Sequence, residues 1–137
     1  MAIRIFLAIE ALIWLPYGLF CLVNPGYLEG AAGLAAHSAT GTAELRAMYG
    51  GLQAGIGGLA LLGALRPQNS AHALYTVAFL CTGLALARTF GVAVDGGLSG
   101  YTNGALAFEF LSAGLAGWFL MRAAAQAGPA ASEQDAL

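Results

Sequence analysis

Residues 49–65 read YGGLQAGIGGLALLGAL, an apolar run in which Gln53 is the only amide or charged side chain. Small residues recur in it at a spacing of four, in two registers: Gly51 with Gly55, and Gly50 with Ala54 and Gly58. Helices in lipid have no hydrophobic drive to associate, and small residues let their backbones approach closely. The stretch therefore predicts a membrane-spanning helix that packs tightly, either inside one bundle or against a second copy of the chain.

The composition of the whole chain agrees with a membrane protein. Of 137 residues, 59% are hydrophobic and 9% are charged, whereas soluble domains are about 25% charged. Such a chain has too few polar side chains to cover a water-facing surface, so we expect the lipid bilayer as its main partner. The net charge of -2 provides no basic surface for nucleic acid.

Four apolar segments are long enough to cross a bilayer, which takes about 20 helical residues. They lie near residues 3–23, 44–65, 71–94 and 101–122. None alternates with the period of two that membrane β-barrel strands show, and helices satisfy their backbone groups internally, as hydrocarbon requires. We predict an all-α integral membrane bundle of four transmembrane helices, a single domain over residues 1–124. Residues 125–137 are small, polar and acidic and predict a disordered tail.

The charges between the segments predict an orientation. If the chain crosses four times, one side carries Arg4, Arg66 and Arg122, and the other carries Glu29, Glu44 and Asp95. Arginine and lysine in short loops stay on the cytoplasmic side. We therefore expect a multi-pass protein of the bacterial inner membrane with both termini in the cytoplasm.

Polar side chains of three helices fall at one depth. With a rise of 1.5 Å per residue, Gln53, Arg88 and Glu109 lie roughly 10–13 Å below the outer ends of their helices. A charged side chain at the middle of a membrane helix costs about 2.5–3.5 kcal/mol. This cost favours a pairing of Arg88 with Glu109 inside the bundle.

The remaining polar residues of the outer half lie between the level of Gln53, Arg88 and Glu109 and the outer membrane surface. Arg46, Tyr49 and Gln53 are three and four residues apart and form a stripe on one helix face. Nearer the mouth, we expect Arg46 to pair with Asp95 or Glu44. The candidate polar cluster, which is either ligand-binding or structural, comprises Glu44, Arg46, Tyr49, Gln53, Arg88, Asp95 and Glu109.

Other residues give less direct indications. Glu10 lies in the inner half and can reach Trp14, which together with Tyr17 faces either lipid or a pocket. The loop over residues 24–43 is rich in alanine and predicts a short interfacial helix, followed by Thr42 as the N-cap of the second spanning helix. His37 is expected to be an exposed loop residue. Cys21 and Cys81 are expected to be small buried hydrophobes.

Motifs of cofactor and metal sites do not occur in the sequence. HxxxH and ExxH spacings are missing, so we expect no zinc, di-iron or haem site and no cofactor. P-loop, GxSxG and CxxCH motifs are missing as well. Whether the chain is an enzyme stays open at this point, with catalytic residues unknown.

Two stretches resemble a known family. ELRAMYGGLQAGIGGLALL (44–62), ARTFGVAVDG (87–96) and a glutamate in the last helix are similar to a family of small bacterial membrane proteins, catalogued as a domain of unknown function with four predicted helices. The positions that match are Glu44, Arg46, Tyr49, Gly50, Gly51, Arg88, Asp95 and Gly96. The resemblance implies an inner-membrane four-helix protein and brings no activity, substrate or cofactor.

Three functional hypotheses follow. The first is an accessory subunit or a binder of a lipid-like ligand, which uses the polar cluster in the outer leaflet. The second is an acid–base isomerase or cyclase for an apolar substrate, and the third is a proton-linked small transporter. A homo-oligomer or a larger membrane complex through Gly51 and Gly55 is compatible with each of them.

Overall fold

The residues that the structure describes form five α-helices, and the four long ones surround one interior. A computed structural model describes the backbone of residues 1–134 and the side chains of residues 1–126. The helices are α1 (Ala2–Val23), α2 (Tyr27–Ala32), α3 (Ala39–Leu65), α4 (Ser70–Asp95) and α5 (Gly100–Gln134), with a 3-10 turn at Pro67–Asn69. All but α2 are long and apolar enough to cross a membrane. The described residues contain no β-strand, so the predicted all-α membrane bundle is confirmed.

The predicted start of the second spanning helix was five residues too late. α3 begins at Ala39, and Ser38 is its N-cap, because the Ser38 hydroxyl accepts a hydrogen bond of 3.0 Å from the backbone N–H of Gly41. Thr42, the predicted cap, lies inside the helix and donates to the Ser38 carbonyl. Ser38 and Thr42 are both hydroxyl residues that can cap a helix, so the sequence does not distinguish them. The helix that begins after Ser38 is favoured because it is longer and pairs more backbone groups.

The loop between α1 and α3 contains the expected short helix. α2 covers Tyr27–Ala32 and ends at Gly33, which adopts φ +70°. Glycine reaches this left-handed conformation without the steric penalty of a Cβ. The alanine-rich residues that follow Gly33 connect to α3, and His37 is exposed there, as expected. A disordered tail was predicted for residues 125–137, whereas the structure describes the backbone of residues 125–134 as the end of α5.

The closest helix contact joins α1 to α3, and glycines make it possible. A Cβ on Gly18 would overlap the backbone nitrogen of Ala54, and a Cβ on Gly57 would overlap that of Leu15. At Gly50 the added carbon would lie 2.7 Å from the Leu22 Cα. The two backbones therefore touch over residues 15–22 of α1 and 50–57 of α3, as expected for small-residue packing in lipid.

Of the two small-residue registers in α3, one makes this contact. Gly50 and Ala54 face α1, and Gly57 continues their line in place of Gly58. Gly55 has no neighbour within 4 Å of where its Cβ would be. A Cβ on Gly51 would meet only the Arg46 carbonyl of the same helix, at 4.0 Å. This register therefore packs against no other described helix, and its predicted role in oligomer formation stays a prediction.

Two arginines close the ends of the α1–α3 pair. The Arg4 Nε donates 2.7 Å to the Ala64 carbonyl near the end of α3, and Arg46 Nη1 donates to the carbonyls of Leu22 and Val23 at the end of α1. The last carbonyls of a helix lack intrahelical partners and carry a partial negative charge. Each helix of the antiparallel pair thus caps the other with a guanidinium. In α3 the backbone around Arg46 forms a π-turn, Arg46–Gly51.

The bundle is densely packed at one end and open at the other. The buried core takes its side chains from residues 6–14 of α1, 56–64 of α3, 73–81 of α4 and Ala116 of α5. This half, which contains the start of α1, is called the closed end. Phe6 and Phe119 stack in it with ring centroids 5.6 Å apart. Both cysteines are free and buried, as expected.

Substitution of adjacent glycines tests the α1–α3 contact. Gly57→Ala should lower the free energy of unfolding by about 1–3 kcal/mol, because its methyl group overpacks the α1 backbone. Gly58→Ala, one residue along the same helix, has open space around it and should leave stability unchanged or raise it slightly. Unfolding in mixed micelles followed by circular dichroism measures both. Equal effects of the two substitutions would contradict the described packing.

Candidate functional site

A cavity of about 580 Å³ occupies the open end of the bundle, between α1, α3, α4 and α5. This volume lies within the range of small-molecule binding sites. Five aromatic rings contribute to its wall: Trp14, Tyr17, Tyr49, Tyr101 and Phe108. Three other residues of the wall, Ile13, Met48 and Leu52, are apolar and 43–53% exposed. The cavity is therefore open at the side of the bundle where these apolar residues lie.

An ion pair crosses the wall of the cavity from α4 to α5. Arg88 Nη2 lies 2.7 Å from Glu109 Oε1, and Arg88 Nε lies 3.1 Å from Glu109 Oε2. This two-pronged geometry is the strong form of an arginine–carboxylate interaction. The Glu109 side chain is 4% exposed and that of Arg88 is 26% exposed, so the guanidinium is the partner that reaches the cavity. The pairing predicted from helix depth is confirmed.

Tyrosine side chains gather around this ion pair. The hydroxyls of Tyr17 on α1 and Tyr101 on α5 lie 3.2 Å apart and share a hydrogen bond. The Arg88 Cζ lies 6.0 Å from the centroid of the Tyr101 ring, at the outer limit of a cation–π contact. Tyr49 and Gln53 of α3 complete the polar part of the wall. The hydrogen-bonding groups of the wall thus come from all four spanning helices: Tyr17 of α1, Tyr49 and Gln53 of α3, Arg88 of α4, and Tyr101 and Glu109 of α5.

Three residues of the predicted polar cluster lie away from the cavity. Glu44, Arg46 and Asp95 are not part of its wall. Arg46 was expected to pair with Asp95 or Glu44, and this was wrong, because its guanidinium binds the carbonyls at the end of α1. These carbonyls lie beside Arg46 as a result of the close α1–α3 contact. Asp95 is exposed at the last residue of α4, seven residues beyond Arg88.

The sequence interpretation missed Tyr101 and Phe108 and left Trp14 and Tyr17 undecided. All four line the cavity. The spacing of residues 101, 105, 108 and 109 places them on one face of α5, and this face could have been recognised once Glu109 was assigned to the interior. For the α1 residues the equivalent marker is Glu10, because Glu10, Trp14 and Tyr17 are four and three residues apart and share one helix face.

A second polar group lies directly beneath the cavity. The Glu10 carboxylate is 2% exposed and accepts a hydrogen bond of 3.0 Å from Trp14 Nε1. The buried hydroxyl of Ser112 on α5 also lies beside the Glu10 carboxyl group. Because the indole N–H binds Glu10 while the indole ring forms part of the cavity wall, Glu10 acts as a positioning residue for Trp14.

One known protein family matches the part of the chain that contains the cavity. Residues 2–120 match the domain of unknown function DUF4345. The chain belongs to the DUF4345 family. The match includes every residue of the cavity wall and extends into the last spanning helix, in agreement with the resemblance found in the sequence. No curated protein and no solved structure matches the chain.

The ion pair gives a prediction about stability. Arg88→Met leaves the Glu109 carboxylate buried without its partner and should lower the free energy of unfolding by about 3 kcal/mol. The double change Arg88→Met with Glu109→Leu removes both charges and should restore most of that loss. Unfolding of the single and double variants in mixed micelles gives the comparison. A double variant that is less stable than the single one would contradict the ion pair.

Proposed function

We propose that this DUF4345 protein binds a lipid-like ligand in the cavity at the open end of the bundle. The observation that carries the proposal is the combination of an apolar, aromatic wall with a small group of convergent polar side chains around Arg88. Small-molecule sites have this composition, in which apolar surface provides affinity and a few polar groups fix the orientation. Members of the family would then act as small membrane binding proteins or as accessory subunits that present the ligand to a partner.

The sideways opening supports a ligand that arrives from the bilayer. Ile13, Met48 and Leu52 border the cavity and continue into the exposed apolar surface. A molecule dissolved among lipid chains can enter there without crossing water. Once inside, its apolar part packs against Trp14 and Phe108, whose ring centroids are 5.6 Å apart, and its polar end reaches Arg88.

The geometry favours binding over the two alternative functions. An acid–base isomerase or cyclase needs an available proton acceptor, and Arg88 already binds both oxygens of Glu109. A proton-linked transporter needs a route through the other half of the bundle. There, Leu7, Leu74 and Val77 are fully buried in the core of the closed end.

For the orientation, we propose that the open end faces the outer leaflet of a bacterial inner membrane and that both termini are cytoplasmic. The argument is the charge distribution: Arg4 and Arg66 lie at the closed end of the bundle, and Glu44 and Asp95 lie at the open end. Arginine-rich ends of short connections remain in the cytoplasm.

Thiol labelling in intact cells tests this orientation. Leu98→Cys lies in the connection between α4 and α5, and Gln68→Cys lies in the turn between α3 and α4. A membrane-impermeant maleimide should modify Leu98→Cys and should modify Gln68→Cys only after the cells are lysed. The unsubstituted chain, whose two cysteines are buried, provides the background. The reverse pattern would show that the open end faces the cytoplasm.

Filling the cavity tests the binding function. Gly104 lines the cavity, and a Cβ there would meet no atom within 4 Å, so Gly104→Leu places its side chain in the empty space. We expect native mass spectrometry of gently extracted wild-type protein to show a retained small molecule, and Gly104→Leu to have lost at least about nine-tenths of it, because the leucine occupies the ligand's volume.

The matched control for this experiment is Gly114→Leu. Gly114 is on the same helix, has equally open surroundings and is exposed on the outer surface. Its leucine should leave the retained molecule in place. If the wild-type protein is bare after several mild extractions, or if both variants lose the molecule equally, the cavity is not the binding site.

A further inference from the structure

The cavity wall is electrically neutral. Among the residues that form it, Arg88 and Glu109 are the only carriers of full charge, and they bind each other. The other polar members of the wall are Gln53 and three tyrosines. Glu10 is separated from the cavity by the Trp14 ring, to which its carboxylate is hydrogen-bonded. A ligand in the cavity therefore contacts uncharged polar groups and one ion pair, whose two charges neutralise each other.

Hydrogen-bond donors remain available in this wall. The bonds from Arg88 to Glu109 use Nε and Nη2, so that Nη1 is left for another acceptor. Tyr17 and Tyr101 share a single bond, which leaves one of their two hydroxyl protons unused. In the described part of the chain, no fully buried side-chain nitrogen or oxygen lacks a partner. Arg88 Nη1, which has no partner, is accordingly not fully buried, and Arg88, Tyr17 and Tyr101 all line the cavity.

Charged head groups fit this arrangement poorly. An anionic head would compete with Glu109 for Arg88 and would leave one of two carboxylate-like charges without a partner in a region of low dielectric constant. A cationic head could approach Glu109 only beside the Arg88 guanidinium. Full charges at this depth of a membrane are expensive unless they are paired.

We infer that the ligand has an uncharged, oxygen-bearing head, such as an alcohol, ketone or ester, on an apolar body. Its oxygen accepts hydrogen bonds from Arg88 Nη1 and from the tyrosine hydroxyls, and the Arg88–Glu109 pair remains intact when the ligand is bound. This inference rests on the proposed binding function and specifies its ligand class. The ion pair is then a means of presenting a strong donor without presenting a net charge.

A series of probes with a ten-carbon chain and different heads tests the inference. Decan-2-one and 1-decanol are neutral, decyl sulfate is a permanent anion, and decyltrimethylammonium is a permanent cation. Trp118→Phe leaves Trp14, in the cavity wall, as the single tryptophan, and its fluorescence reports occupancy in lipid nanodiscs. With affinities expressed per probe present in the bilayer, both neutral probes should bind at least about tenfold more tightly than either charged probe.

A charge switch distinguishes this role of the ion pair from a purely structural one. Glu109→Gln keeps the shape of the side chain and leaves Arg88 uncompensated, so decyl sulfate should now bind at least about tenfold more tightly than 1-decanol. Glu44→Gln removes the same charge outside the cavity and should preserve the preference for neutral probes. If Glu109→Gln does not fold, Arg88→Gln provides the opposite switch, with decyltrimethylammonium as the favoured probe.

The possible outcomes separate the two proposals. Preferential binding of decyl sulfate or decyltrimethylammonium by the protein with its ion pair intact would overturn the neutral-head inference and leave the binding function standing. An unchanged preference in Glu109→Gln would also overturn the inference. Absence of saturable binding for every probe, together with a bare protein in native mass spectrometry, would overturn the proposed function itself.

Discussion

The contact between the backbones of α1 and α3 is the constraint on which the rest of the structure depends. At Gly18, Gly50 and Gly57 the two helices approach until no side chain fits between them. The two helices therefore form one wall of the bundle, two helices wide. Arg4 and Arg46 bind the terminal carbonyls at the two ends of this wall. The interior of the bundle must therefore lie between this wall and the α4–α5 pair. Where bulky side chains fill that space it becomes a core, and where they stop it becomes a cavity.

The ion pair of Arg88 with Glu109 has a complementary role in the second half of the bundle. It joins α4 to α5 at the level of the cavity, where the buried core gives way to open space. Dispersion forces alone would favour closure of such a space, because packed atoms gain contacts that an open cavity forfeits. A short, two-pronged bond between neighbouring helices maintains their spacing while one of its partners still reaches the interior.

Depth along the helices could be read from the sequence, but rotation about their axes could be read only in part. The rise per residue was sufficient to predict that Arg88 and Glu109 meet, because both charges required a partner at that level. Arg46 was assigned the wrong partner because its choice depends on how α3 turns around α1, which the glycine contact determines. Trp14 and Tyr17 remained undecided, although Glu10 shares their helix face. Ser38 and Thr42 are both suitable helix caps by local sequence. Which of them caps α3 depends on the path of the preceding loop.

If the cavity binds a ligand as proposed, its opening at Ile13, Met48 and Leu52 determines the medium that supplies it. In a membrane, occupancy of such a site follows the number of ligand molecules per lipid, and the aqueous concentration matters only through partitioning. Molecules that dissolve poorly in water are then concentrated for the protein by the bilayer itself, so modest intrinsic affinity is sufficient for high occupancy. Exchange of such a ligand would also proceed by diffusion in two dimensions, in the same plane in which a partner protein would encounter the loaded bundle.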